Sequence, residues 1–354
     1  MKYFIFLKTK RGDFNTIKTL NAKEMSVVPV FDLTAKVDGN TSPDILKKQE
    51  DFFNNITKHW DSKKLFFIDH NDISLTLRHS DGSHPYCFYH KVLSSGFNLG
   101  LVTGIDRDAQ YQSEVVDLLK AFKNTRVLIR LHIDDITALR LTLAEILDLY
   151  STLIKHTNYV DFIVDNRIIR KDDILIFSKR IEKFAMAIEE NKIDCLMIVT
   201  SSSFPASIKD YVGTGSTELI PLLELKLWEL VSNIELSYAS LTYGDYGVVS
   251  PDFMEITTKN GKGIPIVPKI TYTLEREYVV SRGKITSQHP RGYKQYKDIA
   301  LYFTSLKGFR ANYSFGEKYF SRISNMTTNE TGNPTTWITA CMSQHVNFIY
   351  DEID

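Results

Sequence analysis

The chain is expected to fold as an α/β protein: a (β/α)8 TIM-like barrel with a β-hairpin inserted after strand 8 and a C-terminal helical tail. Three observations predict this. Short apolar runs of strand composition alternate with longer segments of helical period, the mark of βα units and a parallel sheet. Eight such runs precede Tyr243. The length, 354 residues, suits such a barrel with additions.

The runs follow in order. Tyr3–Leu7 leads to a helix over Asp13–Leu20, and Val27–Leu33 to a helix over Pro43–Trp60, with Ser42 as its N-cap. Leu65–Asp69 leads to Pro85–Leu93, Leu99–Ile105 to Gln110–Phe122, and Val127–Ile133 to Ile136–Lys155. Val160–Val164 leads to Ile174–Glu190, Ile193–Val199 to Leu219–Val231, and the eighth run is Leu236–Tyr243. Pro29 cannot donate to a ladder, so a bulge is expected in the second strand. Ile270–Leu274 and Tyr278–Ser281 then form the hairpin, and a helix over Tyr293–Leu306 closes the eighth unit. Residues 1–310 would make the barrel, with the insertion at about 264–286. Residues 311–354 would make a helical extension packed on it, ending in a helix over Thr336–Ile349.

Composition narrows the function classes. A hydrophobic fraction of 43% supports a sizeable core, and 43 basic residues balance 43 acidic ones. That balance argues against a broadly basic duplex-binding surface. Cys87, Cys195 and Cys341 show no CxxC spacing and no disulfide framework. The apolar run at the N-terminus is too short for a signal peptide, and no stretch reaches the ~18 apolar residues of a membrane span. A cytoplasmic location is expected.

Barrel enzymes carry their chemistry at the carboxyl ends of the strands. Lys8, Asp32, Asp69 and Asp165 end strands 1, 2, 3 and 6, and Arg130 lies inside strand 5. With a period of two, Phe4, Phe6 and Lys8 share a face, as do Val28, Val30 and Asp32, and Leu65, Phe67 and Asp69. Each charge thus extends an apolar row expected to face inward. A structural ion-pair ring would show the same pattern. The loops after strands 7 and 8 add Ser201-Ser202-Ser203-Phe204-Pro205, Gly213-Thr214-Gly215-Ser216 ahead of a helix, and Tyr243-Gly244-Asp245-Tyr246-Gly247. Such loops can expose backbone N–H groups to an anion, although Ser and Gly also simply form turns. The sequence has no HExxH, GxSxG, P-loop or GxGxxG. Asp32, Asp69 and Asp165 could together hold Mg²⁺.

Several segments together resemble the beta protein family, found in phages and bacteria and named for a phage T4 protein. They are Tyr3-Phe4-Ile5-Phe6-Leu7-Lys8-Thr9-Lys10 with Asp13, Val28-Pro29-Val30-Phe31-Asp32, Phe67-Ile68-Asp69, Ser203-Phe204-Pro205 and Tyr243-Gly244-Asp245-Tyr246-Gly247. Ile270-Thr271-Tyr272-Thr273, Ser281-Arg282-Gly283, Tyr293, Trp337 and His345 complete the set. The family more often carries Glu where Asp32 stands, a conservative departure. The resemblance implies a phage or mobile-element context, with phage–host conflict as one setting. It implies no established activity. It does suggest that Arg282 and Asp245 share a surface with Lys8.

The expected function is therefore binding of an anionic ligand, a nucleotide or nucleic-acid end, at the C-terminal face of the barrel. Lys8, Lys10, Arg130, Ser201, Ser203, Tyr243, Tyr246, Arg282 and Tyr293 are the candidate ligand-binding residues. Asp32, Asp69, Asp165 and Asp245 are the candidate acid–base groups or metal ligands. If the site is catalytic, metal-assisted phosphoester hydrolysis suits such a set. The alternative is a non-enzymatic interaction protein that uses the hairpin and tail as a docking surface. The hairpin, placed over the carboxyl mouth, is expected to act as a lid.

Overall fold

The computed structural model describes residues 3–21, 25–255 and 265–353. Eight parallel strands close into a barrel: β1 (Tyr3–Lys8), β2 (Val27–Asp32), β3 (Phe66–Asp69), β4 (Leu99–Thr103), β5 (Val127–His132), β6 (Val160–Ile168), β7 (Cys195–Ser202) and β9 (Ala239–Asp245). β9 completes the circle by pairing with β7 and with β1, where Tyr3 lies opposite Tyr243 and Ile5 opposite Asp245. The period-two rows divide the core as expected. Phe4, Phe6, Val28, Val30, Phe67, Val102, Leu128, Ile163 and Ile198 fill the lumen. Tyr3, Ile5, Phe31, Ile68, Ile129, Phe162 and Val199 face the surrounding helices. Gly100 lets the lumen fill, because a Cβ there would lie 2.2 Å from the Phe67 ring.

No bulge marks Pro29. It sits in register opposite Ile5, and β2 begins to pair with β3 only at Val30. The missing N–H therefore falls just before that ladder starts. The irregularity lies instead in β6, between Asp165 and Ile168, where Arg167 adopts φ +48°.

Two expectations are corrected beyond strand 7, and one after strand 2. The segment expected to begin a helix at Leu219 is first a strand, β8 (Ser216–Pro221), and the helix starts at Leu223. β8 joins β10 (Lys269–Leu274) and β11 (Glu277–Arg282) in an antiparallel sheet of order β10-β11-β8. The hairpin thus has a third strand, which two strands alone would lack for stability. The expected start of the insertion, residue 264, lies outside the described residues. The helix near Tyr293, running Gln295–Thr304, does not close the eighth unit, for it packs on β10 and on the Phe315–Ser324 helix. The last helix, Pro334–Glu352, takes that place against β10 and against the first helix, Arg11–Asn21. The cap of the Ser42–His59 helix is Thr41 rather than Ser42, in a capping box with Asp44.

Candidate functional site at the C-terminal face

Strand parity brings the predicted charges together. Arg130 sits in the barrel mouth with 0% exposure, as do Asp32, Asp69 and Asp165. Its Nη1 donates to Asp32 at 2.6 Å and to Asp69 at 2.8 Å. Its Nε and Nη2 donate to Asp165 at 3.0 and 2.7 Å, and Nη2 also reaches the Tyr246 hydroxyl at 2.7 Å. The other carboxylate oxygens are taken as well. Lys8 Nζ donates to Asp32 at 3.1 Å and to Asp72 at 2.5 Å. Arg107 donates to Asp69 at 3.1 Å, and the Arg167 backbone N–H donates to Asp165 Oδ1 at 2.9 Å.

The electrostatics follow from this pairing. Burial alone would raise the Asp32 carboxyl, but Arg130 and Lys8 outweigh it and hold Asp32 well below the usual carboxylate range. Asp165 is likewise lowered against the effect of burial, by Arg130, His132 and Arg167. Burial would lower Lys8, yet Asp32 and Asp72 raise it. Three carboxylates thus meet three cations, Arg130, Lys8 and Arg107. This set does not fit Mg²⁺: a guanidinium occupies the centre at which the carboxylates converge. Among the described residues no group of His, Cys, Asp and Glu is placed to hold a metal ion.

Asp245 stands apart from this ring. It follows Tyr243 on the outer row of β9, and it accepts from the Tyr3 hydroxyl at 2.7 Å and the Tyr243 hydroxyl at 2.9 Å. His345 Nε2 lies 3.0 Å from Asp245, and its Nδ1 lies 2.8 Å from Thr273 Oγ1. The order Asp–His–hydroxyl imitates a hydrolase triad. Asp245, His345 and Thr273 each have 0% exposure, however, so no substrate reaches them. The relay fastens the last helix and the hairpin to the barrel wall.

The remaining candidates scatter. Ser201 is buried, and Ser203 is spent on Glu224 through its N–H and on the Pro221 carbonyl through its hydroxyl. Gly213–Ser216 precedes a strand, not a helix, so no helix N-terminus backs that loop. Arg282 donates to the Val212 carbonyl at 3.1 Å rather than reaching Lys8 or Asp245. Tyr293 lies on an exposed turn before Gln295.

Lys10 opens onto something different. A cleft of about 640 Å³ lies among the loops that follow β1, β7 and β9, together with the start of the last helix. Its walls include Lys10, Arg11, Gly12, Asp13, Phe204, Val249, Phe253, Lys269 and Thr335. Lys10 Nζ lies 3.1 Å above the Phe253 ring, and Lys269 Nζ lies 5.2 Å from the Phe204 ring. Burial lowers Lys10 to about 8, although Asp13 and Glu255 oppose the shift. Burial raises Asp13 to about 7 against the pull of Lys10. It also lowers Lys269. Titratable groups displaced toward neutrality inside a concavity are a recognised sign of a functional site.

The sequence reading missed Arg107, Asp72, Arg167, Asp13 and Lys269 as site residues. The first three lie in loops or at an irregular strand end, where no periodicity marks direction. Lys269 could have been found as the one charged start of an otherwise uncharged strand, Ile270–Thr273.

The family model described as Beta protein matches residues 3–351. The chain belongs to the beta protein family. The match covers the barrel, the hairpin sheet and nearly all of the last helix. Comparison with curated proteins finds no match. No helix among the described residues is long and apolar enough to cross a membrane.

Proposed function

We propose that this beta protein family member is a receptor for a small anionic ligand, bound in the cleft at the C-terminal face rather than in the barrel lumen. One observation carries the reading: Lys10 and Lys269 line the same cleft, and neither forms an ion pair among the described residues. The cations of the barrel mouth are all matched by carboxylates, so they have no charge left for a ligand. Unmatched, partly desolvated ammonium groups attract an anion far more strongly than solvated ones. A nucleotide or nucleic-acid end belongs to the class that such a cleft would take. Metal-assisted hydrolysis gains no support, because Arg130 holds the carboxylates it would require.

The reading is tested by titrating the protein with inorganic phosphate at low ionic strength, by calorimetry or NMR. Saturable binding is expected, weakened about tenfold or more in the Lys10→Ala/Lys269→Ala double variant, the loss typical of removing charged hydrogen-bond donors. Absence of saturation, or equal affinity in a double variant with an unchanged melt, would remove the proposal.

A further inference from the structure

We infer that the cleft takes a phosphomonoester carrying a flat aromatic body, an inference that rests on the anion-receptor reading. The donor inventory selects the head group. Two helices begin at the cleft, Arg11–Asn21 and Pro334–Glu352. In the second, the Asn333 cap takes the Thr336 N–H, and that of Thr335 finds no acceptor among the described residues. In the first, Asp13 and Phe14 donate to the Lys10 carbonyl, while Arg11 and Gly12 find no acceptor among the described residues. Among the described residues, three N–H groups without an acceptor at two helix starts thus accompany two ammonium groups without an ion pair. The second of these, Lys269, is an independent sign of a ligand, because it lines the cleft 5.2 Å from the Phe204 ring and forms no salt bridge among the described residues.

A carboxylate offers two oxygens and one charge. A phosphoryl group offers three strong acceptor oxygens and up to two charges, which matches this set better. Helix N-termini also favour that group.

The remaining walls select the body. At about 640 Å³ the cleft falls in the size range of organic ligand sites and far exceeds an inorganic anion. Its apolar lining consists of Pro205, Ile208, Val249, Phe253 and Ile338. Such a wall contributes by removing apolar surface from water, and a flat aromatic body offers that surface with the least loss of conformational freedom.

Three probes separate the parts of this inference: inorganic phosphate, phenyl phosphate and benzoate, each titrated at constant ionic strength and pH. Phenyl phosphate is expected to bind about tenfold or more tightly than either of the others, as burial of a phenyl ring would give. Ile208→Ala and Val249→Ala should each erase part of that advantage and leave inorganic phosphate unaffected. Equal affinities for phosphate and phenyl phosphate would overturn the aromatic body while leaving the receptor standing. Benzoate equal to phenyl phosphate would overturn the phosphoryl assignment. Failure of all three to bind would instead remove the receptor reading itself.

Discussion

The barrel mouth and the neighbouring cleft both gather lysine, arginine and aspartate on one face of the molecule, yet they are opposite in electrostatic design. In the mouth every buried carboxylate has a cation at hydrogen-bond distance, and Arg130 alone serves Asp32, Asp69 and Asp165. In the cleft Lys10 and Lys269 face aromatic rings and no carboxylate at that distance among the described residues. A matched set has no electrostatic demand left and acts as architecture. An unmatched set awaits a counter-charge. Charge density at the carboxyl end of a barrel is therefore a poor guide to a site until the pairings are known.

The sharpest way to break this contrast is to unmatch the mouth. Arg130→Ala would leave three buried carboxylates facing one another, and removing one partner of a buried ion pair costs about 3–5 kcal/mol. Urea denaturation should show a loss of that size. Its pH dependence should also invert. In the wild type, the folded-state values of Asp32 and Asp165 lie below 3.8, so their contribution is present above that value and is lost as pH falls through the lower, folded-state values. In the variant the carboxylates are repelled and raised, so acidification toward pH 5 should stabilise it. A loss under about 1 kcal/mol, typical of exposed pairs, would show the ring to be hydrated and the contrast with the cleft unfounded.

That ring was legible because a strand's period of two is rigid: Phe4, Phe6 and Lys8 must share a face, and so must Leu128 and Arg130. The same rule could not place Asp245. Both faces of a barrel strand are buried, so the alternation Tyr243-Gly244-Asp245-Tyr246 carries no mark of inside and outside. Gly244 and Tyr246 proved to point into the lumen, Tyr243 toward Trp228 in the helix layer, and Asp245 toward the last helix. β8 was hidden for another reason. Its Leu219-Ile220 runs directly into the apolar helix Leu223–Val231, and the two periods merge across Pro221. The cleft was illegible because its walls come from five separate stretches of chain. Lys10 and Lys269 are 259 positions apart, and only closure of β9 onto β1 and docking of the hairpin bring them together.

A second test sharpens the cleft side through pH. Around Lys10 stand Asp13, Glu255, Lys48 and Lys269; around Asp13 stand Lys10 and Lys8. Glu255 is already paired with Lys48 at 2.5 Å. As pH rises, Asp13 gains a negative charge near 7 and Lys10 loses its positive charge near 8. Both changes weaken anion binding. Affinity for sulfate, whose charge is constant over this range, should therefore fall by about tenfold between pH 6.5 and 9, since each pKa unit that the bound anion shifts is worth about 1.4 kcal/mol. Asp13→Asn should remove the lower step and keep the upper one. A flat profile would mean that neither group faces the ligand.

The smallest effect is expected from Arg282, which the sequence placed over the ligand as part of a lid. The hairpin is held as a brace. Gln344 bonds Thr273 through both its N–H and its carbonyl oxygen, at 2.8 Å each, so the β10 edge is closed by a side chain. The Tyr278 hydroxyl donates to Glu224 at 2.5 Å, also lies 3.0 Å from the Gly247 carbonyl, and its ring stacks on His345. A lid would have to break these buried bonds on every opening, at about 1 kcal/mol or more apiece. Arg282 makes none of these bonds; it lies opposite Lys269 in the ladder, and its side chain donates to the Val212 carbonyl. Arg282→Ala should thus cost less than about 1 kcal/mol, the value of one partly exposed hydrogen bond. Phosphate affinity should stay within about twofold, because the Arg282 guanidinium is directed to the Val212 carbonyl and is not part of the cleft wall. A tenfold loss of affinity with an unchanged melt would return the hairpin to the ligand and make the cleft one half of a larger site.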